Sequence, residues 1–474
     1  SASSKCYSCA NTPQFMGMRT LHLILVLFCS SLIYIHEAAV VSSSFHEPEV
    51  SRIAFGSCSN ESSSQPIWDA IIDFNPQVFI WLGDIVYGDK RRPLSIFGRE
   101  RTIGPWKNTP RFYPSSEEEM EEKFNKAKKI SGYSRLKKSA KVIGTWDDHD
   151  YGLNNAGKEF PQKITNQKLL LDFLDEPEGS LRRKQEGVYA SYVYGPKGKQ
   201  VQVIVLDTRY HRDPIESDGT VLGAAQWEWL EQELKYKTSE IVVIASSIQV
   251  ISNLSATVGP MISMESWAHF RKERHRLFKL LNDSKRDGVF FISGDVHFGE
   301  ICRHDCAIRY PLYDITSSGL TQSIESALPN FFTYFIRFLS WFAPNTMRVM
   351  SESCRFRSCI YGKPNFGAIV INWNASPVTV EVELRDVDGR PVAGVSVKMS
   401  ELRGGDGAVF ATEEPEAKTK RHCTNEVDLP WIVRYRVAIS FFALFSVLVV
   451  VVILLLSGLI ILCRWRCNEK FKVE

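Results

Sequence analysis

Four short strings carry metal-ligating side chains just past a β-like run: Gly56-Ser57-Cys58, Gly83-Asp84-Ile85-Val86-Tyr87, Trp146-Asp147-Asp148-His149-Asp150 and Ser293-Gly294-Asp295-Val296-His297. A thiol, several carboxylates, a phenol and two imidazoles in one cluster would offer soft, intermediate and hard ligands together. That mixture suits two different metal ions. Two metals in one site usually serve the hydrolysis of a phosphate ester.

The elements that must position them read as α/β. The runs Arg52-Ile53-Ala54-Phe55, Val78-Phe79-Ile80-Trp81-Leu82 and Val142-Ile143, with 201–206, 241–245 and 289–293, are dense in β-branched residues. Strands buried on both faces have that composition. Helices are expected between them. Ser116 with Glu119 forms a capping box for a charged helix reaching about Lys129, and 223–234 and 266–281 are amphipathic. In open α/β sheets, ligand groups collect at the carboxyl ends of strands, where all four strings sit. Beyond residue 300 the stretches 366–373, 378–384 and 393–402 alternate, with Asp388-Gly389 as a hairpin turn. They are expected to complete a second sheet. The aromatic stretch 328–350, with Phe331, Phe332, Tyr334, Phe335, Phe338, Trp341 and Phe342, reads first as a core helix and second as an interfacial membrane contact.

Taken together, the strings resemble the PhoD-like alkaline phosphatase D family of the calcineurin-like metallophosphoesterase superfamily. The resemblance covers roughly 50–402. It extends to Leu206-Asp207-Thr208-Arg209, Gly223-Ala224-Ala225-Gln226-Trp227, Phe366-Gly367 and Asp386-Val387-Asp388-Gly389. It implies a layered α-β-β-α sandwich with a C-terminal β segment and hydrolysis of phosphate mono- or diesters. It also implies iron(III) on Cys58, Asp84, Tyr87 and His297, with calcium on neighbouring carboxylates. The residue types agree, since a phenolate and a thiolate both need a strongly acidic metal. Asp84 would bridge the metals, with Asp148 and Asp295 as hard oxygen ligands for the second. Where superfamily members carry Asn and His there, carboxylates favour Ca²⁺ or Mg²⁺ over zinc. Manganese, magnesium and zinc are the alternative ions.

His149 is the expected general acid, its ordinary pKa suiting proton transfer near neutrality. Arg209 would clamp the phosphate, or equally form a structural ion pair with Asp207. Asp147 and Asp150 rank below Asp148 as ligands. Cys58 would otherwise be half of a disulfide; as a ligand, it leaves Cys302, Cys306, Cys354 and Cys359 to pair among themselves and Cys423 free or intermolecular.

The 474 residues, 44% hydrophobic and 23% charged, describe a globular chain, and a net charge of +3 gives no reason to expect nucleic acid. Residues 1–40 read as a leader and cleaved secretory signal, with Arg19 ahead of the apolar run 21–35. No charged residue occurs in 437–463, about 40 Å of helix against a ~30 Å hydrocarbon layer, so that stretch is expected to span a membrane. The expected order is body 50–402, stalk 403–430, span 437–463 and cytosolic tail 464–474, as a single-pass type I protein. Sequons at Asn60, Asn253, Asn282 and Asn374 fit a lumenal or extracellular body. Lys470 and Lys472 resemble a dilysine retrieval address to the endoplasmic reticulum. Two other readings stand beside phosphoester hydrolysis: a phospholipid or lipid-linked phosphodiesterase, and a non-catalytic membrane receptor or adaptor on a phosphatase fold.

Overall fold

In a computed structural model that describes residues 48–470 apart from 105–106, 218, 236–237, 259–263, 328 and 405–420, the runs of β-branched residues form strands. They are β1 (Arg52–Gly56), β2 (Val78–Leu82), β3 (Asp89–Arg91), β4 (Phe112–Pro114), β5 (Lys141–Thr145), β6 (Ala190–Tyr194), β7 (Val201–Val205), β8 (Ile241–Ala245), β9 (Val289–Ser293), β10 (Gly299–His304), β11 (Leu312–Ser317), β12 (Asn365–Asn372), β13 (Thr379–Asp386) and β14 (Pro391–Lys398). The helices are α1 (Ile67–Phe74), α2 (Glu117–Lys128), α3 (Ser131–Ser139), α4 (Asp148–Tyr151), α5 (Lys163–Phe173), α6 (Gly223–Lys235), α7 (Leu254–Val258), α8 (Arg271–Asp283), α9 (Asn330–Phe342), α10 (Trp431–Arg434) and α11 (Arg436–Lys470). The Ser116/Glu119 capping box opens α2 as its sequence indicates. Ahead of α8, the expected helical stretch begins instead with a short 3₁₀ turn, Trp267–His269.

Two six-stranded sheets result, in the orders β14-β13-β12-β1-β2-β5 and β10-β11-β9-β8-β7-β6. β1, β2 and β5 run parallel, as do β7, β8, β9 and β11. The fold is therefore mixed α/β. The C-terminal strands depart from expectation: β12 pairs antiparallel with β1 and extends the first sheet, while the second is built from β6 to β11. Alternation along each strand assigns its two faces. Ile53, Phe55, Ile80 and Leu82 join Val203, Ile244 and Phe291 of the other sheet in one buried cluster. Their neighbours Ala54, Phe79 and Trp81 pack the opposite way, against Trp68, Phe124 and Leu136 from α1, α2 and α3. Each such large side chain contributes about 1.5–3 kcal/mol by leaving water. A rigid double-sheet frame thus holds the strand ends in place.

Three further features depart from the sequence reading. The α9 helix is no core helix: Tyr334, Phe338 and Trp341 on it are exposed. Burial would have required apolar neighbours on that side. Cys306 pairs with Cys423 and Cys354 with Cys359, leaving Cys302 buried and free, because the segment after 420 folds back onto the body. Asn253 is fully buried, giving its amide nitrogen to Glu426 and accepting from Arg274, so that sequon cannot carry a glycan in the folded state. Within α11, the 30-residue stretch Arg436–Trp465 is long and apolar enough to cross a membrane, and no residue of its apolar window is buried. The signal segment, residues 405–420 of the expected stalk and Lys472 lie outside the described residues.

Candidate metal centre

Four loops leave the carboxyl ends of β1, β2, β5 and β9 and knit together across the two sheets. Ser59 N–H donates to the Asp84 carbonyl at 2.8 Å, and Ser247 Oγ, from a fifth loop just past β8, donates to Asp147 Oδ1 at 2.7 Å. The approach is close enough to need glycine. A Cβ on Gly83, whose φ is +95°, would lie 2.4 Å from Asp147, and one on Gly294 would lie 2.6 Å from Ser57 Oγ. Cys58, Asp84, Asp295 and His297 are all held at positive φ, between 52° and 71°. Such backbone costs of order 1–3 kcal/mol per residue and persists where surrounding structure imposes it.

Their side chains converge. Cys58, Asp84 and His297 form one group whose ligand atoms lie within 4.8 Å of one another; Asp84, Asp148 and His149 form a second; Asp147, Asp148 and Asp295 form a third. Asp84 and Asp148 each belong to two groups, so the three are one continuous array. Cys58 Sγ sits 3.3 Å from Asp84 Oδ2 and 3.1 Å from Ser318 Oγ, and it makes no disulfide. Tyr87 reaches the same end, with its hydroxyl 3.5 Å from His297 Nε2 and its ring centroid 4.3 Å from that of His149. Thus Cys58, Asp84, Tyr87, Asp148, His149, Asp295 and His297 come together.

The electrostatics describe buried acids that outnumber the cations beside them: burial would raise Asp148, yet His149 and Arg209 hold it down to about 2, while its neighbours rise. Burial and then Asp84 push the Cys58 thiol well up. Burial raises Asp84, His149 opposes it, and Asp148 and Asp147 add to the rise. Asp295 is raised by burial and by the same two acids. Burial alone would depress His149, yet Asp148, Asp84 and Asp89 outweigh it and hold the imidazolium well above its ordinary range. His297, pushed down to about 4 by burial and by His149, keeps a neutral ring with a lone pair to offer. Crowded, desolvated like charges of this kind mark functional sites. Asp147 Oδ2 and Asp148 Oδ1 are buried with no hydrogen-bond partner, Asp148 Oδ1 having only His149 Nε2 at 4.0 Å, as expected of oxygens reserved for a cation. Sulfur, phenol and imidazole donors cluster at one end and carboxylates at the other, which fits two ions of unlike hardness.

Arg209 does not face the opening. It is fully buried; Nε donates to Asp147 Oδ1 at 2.6 Å, and the guanidinium also pairs with Glu265. Asp207, the partner weighed from the sequence, instead accepts the Arg209 backbone N–H at 2.8 Å. Asp150 is structural: its carboxylate accepts the backbone N–H groups of Asp147 and Ile85, and burial raises its pKa to about 8.

Two residues escaped the sequence reading. Asp89 accepts from His149 Nδ1 at 2.7 Å and also takes the Asn154 N–H, fixing the ring. Its only signal is an acid two places beyond Tyr87. Arg91, on the same strand, is among the described residues the one lysine or arginine lining the cleft over the array, a space of about 700 Å³ that Tyr87, Asp148, His149, Asp295 and His297 also border.

The profile of the PhoD-like phosphatase family matches residues 173–325. That stretch contains Arg209, Asp295 and His297, whereas the other gathered residues precede it. Alkaline phosphatase D of Bacillus subtilis (strain 168) is 27% identical over 182 residues, 33% of this chain. The match spans 30% of that protein's length. Among solved structures, one titled "Structure of PhoD" shares the fold at a TM-score of 0.52 and 16% identity, covering 74% of this chain and 69% of that one. Another, titled "GAP50 the anchor in the inner membrane complex of Plasmodium", gives 0.43 at 11% identity, over 74% and 89%.

Proposed function

Starting from the match of residues 173–325 to the PhoD-like phosphatase family, we propose that the chain is a membrane-anchored, metal-dependent hydrolase of phosphate esters. The observation that carries this is the continuous array in which Asp84 and Asp148 each serve two neighbouring donor groups. Cys58, Asp84, Tyr87 and His297 would hold iron(III); Asp148 and Asp295, with Asp147, would hold calcium, and Asp84 would lie between them. Bound there, such cations neutralise phosphoryl oxygens and activate water. The chain's own groups do the rest. Asp89 holds His149 by Nδ1, which leaves Nε2 to deliver a proton to the departing oxygen. Arg91 meets the negative phosphate at the cleft, the task the sequence had suggested for Arg209. Arg209 instead anchors Asp147, and so the carboxylate end of the array.

We read the domain as 50–402, since β1 pairs with β12 across that interval, and the two-sheet packing as an α-β-β-α sandwich. The span is read as a type I anchor with the body lumenal or extracellular, which the two disulfides support. Lys470 and Lys472 keep their reading as a retrieval address. An adaptor would have no use for strained backbone at four ligand positions.

Element analysis of the purified, metal-loaded chain, with nitrophenyl phosphate and bis-nitrophenyl phosphate as probes, tests the proposal. Stoichiometric iron and calcium with turnover of either ester is expected; a metal-free, inert protein would overturn it. Asp89→Asn is expected to lower kcat by roughly 10- to 100-fold. It removes an anion that stabilises the imidazolium, so His149 should lose its proton at lower pH. The alkaline limb of the pH–rate profile should therefore move down; an unmoved limb would assign the proton to another group.

A further inference from the structure

The metal cleft shares a wall with an apolar slot: Met264, Phe298 and Ile324 line both. Beyond that wall the slot is lined by Ile336, Leu339 and Ser340 of α9 and by Val437, in the first turn of the apolar helix α11. Among the described residues Ser340 is the only polar one lining it, and its volume is about 80 Å³. Leu339 and Ala343 face the slot. The other side of α9 turns Tyr334, Phe338 and Trp341 outward, 74%, 53% and 56% exposed. Arg337, the one charged residue of α9, is paired with Glu325.

What covers that outward face follows from what α9 is fastened to. Arg436, where the spanning helix begins, donates Nε to the Phe342 carbonyl at 2.6 Å and lies over the Phe342 ring. Trp431, 67% exposed, stands at the same end. Aromatic side chains pinned to the entry of a span sit at the depth where tryptophan and tyrosine settle in a bilayer interface.

We propose that α9 lies in the membrane interface and that the slot receives the first methylenes of a lipid chain whose phosphate ester occupies the metal cleft. The inference rests on the phosphoester-hydrolase reading and names its substrate class as a membrane lipid phosphate. The reaction needs no further co-reactant. Water supplies oxygen to phosphorus, the ester P–O bond breaks, and the leaving oxygen takes a proton. The rest of the chain remains along α9 in the bilayer.

The test uses the full, metal-loaded protein in phosphatidylcholine nanodiscs. Phosphatidic acid is compared with glycerol phosphate, and phosphatidylglycerol with glycerophosphoglycerol. At least one acylated ester should exceed its chain-free partner in kcat/KM by about tenfold or more, and Ala343→Phe should collapse that ratio roughly fivefold. The double substitution Phe338→Ser, Trp341→Ser should lower the same ratio without filling the slot. Brominated lipid should quench wild-type fluorescence more than that of Trp341→Phe, a readout independent of turnover. Equal use of acylated and chain-free esters overturns the inference while leaving hydrolysis standing. An unquenched Trp341 also overturns it, including the case where a second copy covers α9. A metal-loaded protein inert to every ester defeats the hydrolase reading instead.

Discussion

Asp84→Asn is expected to lower kcat/KM toward nitrophenyl phosphate by roughly 10³-fold, and element analysis should show loss of bound metal. Asn preserves the shape of the side chain and removes its charge. Because Asp84 is common to two of the three donor groups, that single charge acts on both proposed ions. The stability result should run the opposite way. Burial and the neighbouring acids raise the folded-state pKa of Asp84, as they do that of Asp295. A carboxyl raised in this way favours folding while protonated, and that contribution is lost as pH climbs through the raised value. Stripped of metal at neutral pH, wild type bears the cost of keeping that carboxyl among buried acids, as repulsion or as a proton held, and the amide variant does not. Metal-free Asp84→Asn should therefore melt above metal-free wild type. Metal should then reverse the order, since an ion at 100-fold above its Kd adds about 2.7 kcal/mol to whichever form binds it. Calorimetry of both proteins with and without metal measures all four quantities. A variant that is inactive, unstable and still metal-loaded would make Asp84 a packing residue.

The sequence disclosed the parts of this site that are local. Dense β-branched runs marked the strands, and short polar strings marked their carboxyl ends, so the seven side chains that converge there were legible in the sequence, their roles remaining a proposal. What it hid is carried by long-range pairing. Asp89 is 60 residues from His149, and nothing nearby distinguishes it from other acids. Arg209 finds Asp147 and Glu265 at separations of 62 and 56, whereas local reasoning offered only Asp207, two residues away. The strand β12 returns to β1 across the whole intervening fold, which alternation alone cannot reveal. Cysteine spacing likewise leaves connectivity open, and Cys423 reaches Cys306 only because its segment folds back. The α9 helix shows a different limit. An aromatic stripe has the same composition whether it faces a protein core or lies on the surface, and only exposure separates them.

Arg209→Met is expected to destabilise the protein by about 3–5 kcal/mol, the usual cost of removing one partner from a buried ion cluster. The guanidinium is fully buried between Asp147 and Glu265, and its charge is what opposes the rise that burial imposes on Asp147. Without it, two buried carboxylates face each other beside Asp148 and Asp295. The prediction separates two roles for this arginine. A residue that gripped substrate would raise KM when removed and leave urea unfolding unchanged. One that anchors the array would lower the unfolding midpoint sharply and weaken retention of the ion proposed for the carboxylate end, with the ion proposed at Cys58 less affected, because Asp147 belongs only to the carboxylate group. Arg209→Lys should fall between, keeping the charge but losing the planar fork that serves two acids at once. Arg91→Met, at the exposed cleft, should show the converse pattern: KM higher, unfolding unchanged. Measured together, the two arginines say which carboxylates are held by protein and which wait for substrate and metal.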